Sequence, residues 1–191
     1  MSNFTVFDPV TGRILRSGGC PDWQITAQAQ TGEVVLPILA NGLTQYISNN
    51  TPVEIPLSPG NSYQWDAVNK VWTLNLGLGQ SLAWTRIKSA RDAAIASGVT
   101  YNGNVYDSDA TAQLRLTGAA QMAQIAISSG TAFSVTWTLQ NNSTVTLTAS
   151  EVIALATTVG QNYQTLFGKG QSLRSQIMAA TTQSELDAIT W

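Results

Sequence analysis

Two carboxylates bracket a serine at Asp107-Ser108-Asp109, directly ahead of the helix-forming run "ATAQLRLTGAAQMAQIAIS". Acids at this spacing could chelate a cation, or divide the acid and base roles of a hydrolysis. Neither chemistry is well supplied. A calcium loop needs more oxygens at set intervals, a glycine and a distal glutamate, and none follows here. At i and i+2 across a helix start, the two side chains tend to diverge. The expected role is an N-cap, in which one of the three side chains accepts from the free N–H groups of the first turn and the acids sit in the favourable field of the helix dipole. Other reactive groups are scarce. Histidine is absent and Cys20 is the only cysteine. That excludes a His-dependent triad, a Cys–His nucleophile, a Cys/His zinc site and an intrachain disulfide. Cys20, in a "GGC" stretch read as loop, has no activating base beside it. No catalytic residue, cofactor or metal ligand is assigned, and the chain is not expected to be an enzyme.

The composition restricts the partners. Charged residues are 10% of the 191, against about a quarter in ordinary soluble proteins. Ser, Thr, Asn, Gln and Gly take their place, a neutral polar surface that suits a member of a large assembly. Net charge is −2, and the nine cations are scattered, densest at Arg86, Lys88 and Arg91. Nucleic-acid binding requires a clustered basic footprint, so it is not expected. No apolar run approaches the about 18 residues of a membrane span. The opening "MSNFTVFDPVTG" lacks the basic and apolar regions of an export signal. Synthesis in a cytoplasm without membrane insertion is the expectation.

The elements that would carry these residues form an α+β chain. A small N-terminal β-rich or extended attachment region is expected over 1–60. An aromatic hairpin and hinge follow over 61–81, then a C-terminal helix-hairpin-helix-hairpin-helix domain over 82–191. In the first region, strands flank Asp8-Pro9-Val10-Thr11-Gly12, where proline presets φ and glycine supplies φ > 0. Prolines at 37, 52, 56 and 59 confine further strands to edges. "SYQWDAVNKVWTLN" reads as a hairpin with Tyr63, Trp65 and Trp72 available for cross-strand pairing, and "LGLGQS" as the hinge. Beyond it, Trp84, Ile87, Arg91 and Ile95 share one helical stripe. Asn102-Gly103 predicts a tight hairpin turn, and a second hairpin turns near Asn141-Asn142. Thr148 with Glu151, and Thr182 with Glu185, have the spacing of capping boxes.

Apolar and small residues then recur from Val152 through Ala156, Val159, Tyr163, Leu166, Gly170, Leu173 and Ile177 to Ala180, alternately four and three apart. This heptad seam predicts one long helix over about 149–180, in spite of Gly168 and Gly170. At about 45 Å it could meet a second chain along part of its length, or fold back on the 110–128 helix. The tryptophans at 65, 72, 84, 137 and 191 could form a platform for sugar rings. In a β-rich frame, core pillars are the commoner use. Arg91 is expected to lay its stem across the core with its charged tip outward. Candidate structural or interface residues are thus Trp84, Arg91, Asn102, Gly103, Asp109, Trp137, Tyr163, Leu166, Leu173, Ile177 and Trp191.

The pattern of Trp84, Ile87, Lys88, Arg91 and Asp92, followed by "GVTYNGNVYDSD", "TWTLQNN", "TASE" and "LRSQIMAATTQSELDAITW", resembles the C-terminal domain of unknown function found in many bacteriophage tail proteins. The resemblance covers about Leu82 to Trp191. The opening "DPVTGRILRSG", "YISNNTPVEIPLSP" and the Tyr-x-Trp-Asp hairpin look like short phage tail or tail-fibre-associated proteins, more loosely. The resemblance implies a structural component of the tail tip, baseplate or fibre, made in the host bacterial cytoplasm and residing in the virion. It would act through contacts with other phage tail proteins in assembly and host attachment. A homo-oligomer, with a trimer favoured, is the implied state, and no catalytic residue is carried over. The alternative is a tail-fibre assembly chaperone that leaves before the particle is complete. A carboxylate-based hydrolase of surface glycans is a third class, with only Asp107 and Asp109 to serve it.

Overall fold

A computed structural model describes all residues, 1–191. It is α+β, and the chain divides into two compact units, Met1–Asn75 and Leu76–Trp191.

In the first unit β1 (Ser2–Phe7) lies between β2 (Ile14–Cys20) and β3 (Val34–Leu36), antiparallel to both. The turn joining β1 to β2 is the one anticipated. The Asp8 carboxylate accepts from Val10 N at 2.8 Å and Thr11 Oγ1 at 2.9 Å, and Gly12 adopts φ +68°. "GGC" is not a loop but the end of β2. The glycines fit a strand here because the Phe4 ring lies across Gly18, where a Cβ would stand 3.2 Å from ring carbons. Cys20 is buried with Phe4 and Val6. Fully buried Thr5 is satisfied on both sides, accepting from Ala40 N and donating to Ile38 O, each at 2.9 Å. Two hairpins complete the unit. In one, β4 (Gln45–Ser48) and β5 (Thr51–Glu54) meet through Asn49-Asn50, both at positive φ. In the other, β6 (Tyr63–Asp66) pairs with β7 (Val71–Leu74).

In the second unit, α1 (Leu76–Ala96), β8 (Val99–Tyr101), β9 (Asn104–Tyr106) and α2 (Ala110–Ser128) precede β10 (Ser134–Thr138) and β11 (Thr144–Thr148). The long α3 (Ala149–Ala179) and short α4 (Gln183–Ala188) end the chain. One boundary differs from expectation. "LGLGQS" is the opening of α1 rather than a hinge. Two glycines cost about 1 kcal/mol each in a helix. Leu76 offsets this by packing against the apolar cluster shared by α1, α3 and α4, while Gln80 Nε2 donates to Ala180 O beyond the end of α3. Asn102 and Gly103 form the β8–β9 turn at φ +47° and +77°.

α3 is continuous through Gly160, Gly168 and Gly170, and both ends of its seam are buried within the chain, while Tyr163 and Leu166 between them are half-buried. Val152, Leu155 and Val159 join Leu116, Ala119 and Ala123 of α2, with Tyr106, Trp137 and Leu147 from the hairpins. Further along, Leu173 and Ile177 join Ala83 and Ile87 of α1 and Leu186 of α4. The partner for the seam is therefore α2 and then α1, rather than α2 alone. Gly170 marks a crossing, since a Cβ there would lie 3.3 Å from Cδ of Arg91.

Both capping boxes are formed. Thr148 N–H and Oγ1 donate to Glu151 at 2.8 and 2.7 Å, and Thr181 and Thr182 N–H donate to Glu185 at 2.7 and 3.0 Å. These bonds, backbone donors first, hold both carboxyls below the ordinary glutamate value of 4.5. A carboxyl with a folded pKa below its unfolded one stabilises fully above the unfolded value. That contribution disappears as pH falls through the folded value. Acidification below about pH 4.5 should therefore loosen the first turns of α3 and α4 before their interiors. Amide exchange at Ser150–Val152 and Ser184–Leu186, followed against pH, is the check.

Candidate functional site

The acidic pair does not come together as a site. Asp109 is the N-cap of α2, accepting from Ala112 N at 2.8 Å. Asp107 is exposed. Ser108 between them is buried and donates through Oγ to Ile95 O at 2.5 Å, tying the start of α2 to the end of α1. That tether has no local sequence signal. No group of three or more His, Cys, Asp or Glu side chains is placed to hold a metal ion.

The candidate interface residues fall largely inside the second unit. Trp84, Leu173, Ile177 and Trp191 share one apolar cluster, and Trp137 belongs to the other. Tyr163 stacks on Phe167, with ring centroids 4.3 Å apart, and Leu166 is half-buried beside them in sequence. Arg91 lies over Phe167, 4.4 Å from its centroid, and pairs with Asp92 at 2.7 Å. Its stem passes Gly170 of α3, and its charged tip, expected to point outward, lies on the Phe167 ring instead, with the side chain 16% exposed. The same use of cations recurs: Arg115 lies over Trp137, Lys169 over Trp191, Arg174 over Trp84 and Lys70 over Tyr46. Five of the nine cations are thus on aromatic faces. Arg86 donates to Leu186 O and Ile189 O, both at 2.9 Å, and closes the end of α4. Few positive charges remain to make a patch for an anionic polymer.

Two surfaces offer themselves to partners. The first is the outer face of α2. Its inner stripe of Ala112, Leu116, Ala119, Ala123 and Ala126 is buried. Opposite it, Leu114, Met122 and Ile125 are 75%, 56% and 65% exposed. Gly118 lies between them, with nothing within 4 Å of where a Cβ would be. Arg115 is the only charged residue of the helix, and it is taken up by Trp137. A helix apolar on both faces normally has cover on both.

The second surface is a cleft of about 680 Å³ in the first unit. Its aromatic wall is built by two hairpins. The β6–β7 register sets Trp65 opposite Trp72, and their rings meet edge-to-face at 5.5 Å. Tyr46 on β4 approaches Trp65 at 5.8 Å. Trp72 Nε1 donates to Pro56 O at 2.8 Å and so ties down the segment that carries Leu57. Trp65 Nε1 is buried with no acceptor. Tyr63, expected among the pairing aromatics, stands opposite Leu74 instead. The rim is rigid. Asn41 Oδ1 accepts from Leu43 N at 2.9 Å, and Gln45 Oε1 accepts from Asn41 N at 2.8 Å. That loop holds Leu43 out at 90% exposure, and Leu57 is 96% exposed. Gln45 Nε2 donates to Glu54 at 2.6 Å, leaving the second carboxylate oxygen open, and the Arg13 guanidinium has no protein partner.

Comparison with known proteins matches residues 80–190 to the family described as "Domain of unknown function (DUF4376)". No curated protein and no solved structure matches the chain. The family match takes in α1 from its second turn through to α4, which is more than half of the 191 residues, and the chain belongs to the DUF4376 family.

Proposed function

We propose that this chain is a structural component of a bacteriophage tail, at the tip, baseplate or fibre. It acts by protein–protein contact in virion assembly and host attachment. It is made in the host cytoplasm, resides in the virion and self-associates, with a trimer favoured. The observation that supports the reading best is the outer face of α2. Leu114, Met122 and Ile125 form an exposed apolar stripe on a helix with one charge in its 19 residues. Such a stripe costs little in an assembly that covers it and favours association where nothing else does. The uncharged polar surface and the structural use of most cations agree with a protein that works by contact.

Two measurements test this. Mass spectrometry of purified virions should find the chain at a fixed copy number, in a multiple of three. Absence from virions, together with a complex with a fibre protein in infected cells, would replace the proposal with the assembly chaperone. Met122→Lys should leave the melting temperature unchanged, because the side chain is exposed, while lowering incorporation into particles. If the variant is incorporated like the parent, the α2 face is not the contact.

A further inference from the structure

The cleft of the first unit supports an inference that is independent of where the chain resides: we propose that it binds a short, neutral glycan. The chemistry is that of a sugar ring. A pyranose has apolar C–H faces and a rim of hydroxyls, each both donor and acceptor. Tyr46, Trp65 and Trp72 line the cleft and are half-buried, so part of each ring is open to it; Lys70 covers one face of Tyr46, which leaves Trp65 and Trp72 as the main apolar wall for a C–H face. Around them the unspent polar groups are of both kinds. The Arg13 guanidinium can donate, and the free oxygen of Glu54 can accept. A hydroxylated ligand can meet such a mixed set, whereas a purely apolar one would leave it unpaired.

Charge selects among sugars. Arg13 and Glu54 line the cleft with one charge of each sign, and the Lys70 ammonium over Tyr46 is offset by the Asp8 and Asp66 carboxylates on which its charge acts. The cleft therefore has no net positive field to draw a phosphate, sulfate or sialylated ligand. Its volume of about 680 Å³ is within the about 300–1,000 Å³ of small-molecule sites. Leu43 and Leu57, both exposed at the cleft, add apolar wall beyond what sugar hydroxyls use. They suit an acetamido methyl, so N-acetylated sugars should bind better than their unsubstituted counterparts.

The test is titration of the full chain with chitotetraose and with cellotetraose, followed by tryptophan fluorescence and by calorimetry. Saturable binding at or below millimolar concentration is expected, tighter for the N-acetylated sugar. Arg13→Ala and Leu57→Asp alter exposed side chains without internal partners, so they keep the fold. Each should weaken binding by about tenfold, with the hydrogen-exchange pattern of residues 1–75 unchanged. Trp65→Phe, which keeps a ring but shrinks the stacking wall, should weaken it as well and take away part of the fluorescence response. Three results would overturn the inference. They are no binding of either sugar at millimolar concentration, binding indifferent to all three variants, and a proline-rich peptide binding the cleft while both sugars fail.

Discussion

Leu173→Asp should unfold the second unit at ordinary temperature. Leu173 is 9% exposed and belongs to one buried cluster with Ala83 and Ile87 of α1, Ile177 of its own helix and Leu186 of α4, against which Trp84 and Trp191 pack. Shortening a buried leucine to alanine costs about 2–5 kcal/mol by itself. Burying a carboxylate in the same space adds a desolvation penalty of several kcal/mol, and no cation is free to relieve it. Lys169 and Arg174 are the nearest on α3, and both are held over tryptophan rings. The sum is comparable to the whole stability of a unit of 116 residues, which is about 6–17 kcal/mol at typical values per residue. The prediction has an internal control. The introduced carboxyl would have its folded pKa raised by burial, so its penalty is full above that value and falls as pH drops through it. Leu173→Asp should regain helix at mildly acidic pH, while Leu173→Ala should not. Circular dichroism melts of both variants at two pH values decide this. A Leu173→Asp chain that melts with the parent at neutral pH would mean that this end of α3 is not a core element.

How far these packing relations could be read from sequence depends on their range along the chain. The turn at Asp8–Gly12, the Asn102-Gly103 hairpin and the two capping boxes are decided by groups within five residues of one another, and each forms as its residues indicate. The α3 seam was legible because a periodic stripe reports burial without naming the partner. That the partner changes from α2 to α1 along the helix has no local signal. Gly170 shows the limit: its sequence context suggests only a weak point in a helix, whereas its function is to admit the stem of Arg91. Leu76–Ser81 misled for a related reason, because tertiary burial of Leu76 outweighed two glycines. The cleft was the least visible feature. Trp65 and Trp72 could be paired from hairpin register, but Tyr46 joins them from another hairpin and Arg13 from another strand boundary. Only the folded chain brings these residues together.

Gly12→Ala should be the most damaging single-methyl change in the first unit. Gly12 adopts φ +68°, where any Cβ is strained, and the methyl would stand 2.1 Å from the carbonyl oxygen of Ile47. That oxygen cannot move away independently. Gly12 N–H donates to Asp8 O at 2.7 Å, and its carbonyl accepts from Ile47 N at 2.8 Å, so the turn and β4 are joined backbone to backbone. Relief requires the turn to lift off β4. The lift would break the Ile47 bond, pull Thr11 O from Lys70 and open the small cluster of Phe7, Ile14, Ala40 and Ile47. Gly32 supplies the comparison: it has φ +86° in the same unit, and nothing lies within 4 Å of its Cβ position. Gly32→Ala therefore pays only the conformational term, about 1 kcal/mol. Gly12→Ala adds the clash and the lost contacts and should cost several kcal/mol more, within the range of core disruption. Hydrogen exchange should show lost protection in β1, β2 and β4 for Gly12→Ala alone, with α1–α4 unchanged in both variants. Equal effects of the two substitutions would mean that backbone strain is the whole cost. Loss of protection in α3 would mean that the two units do not unfold separately.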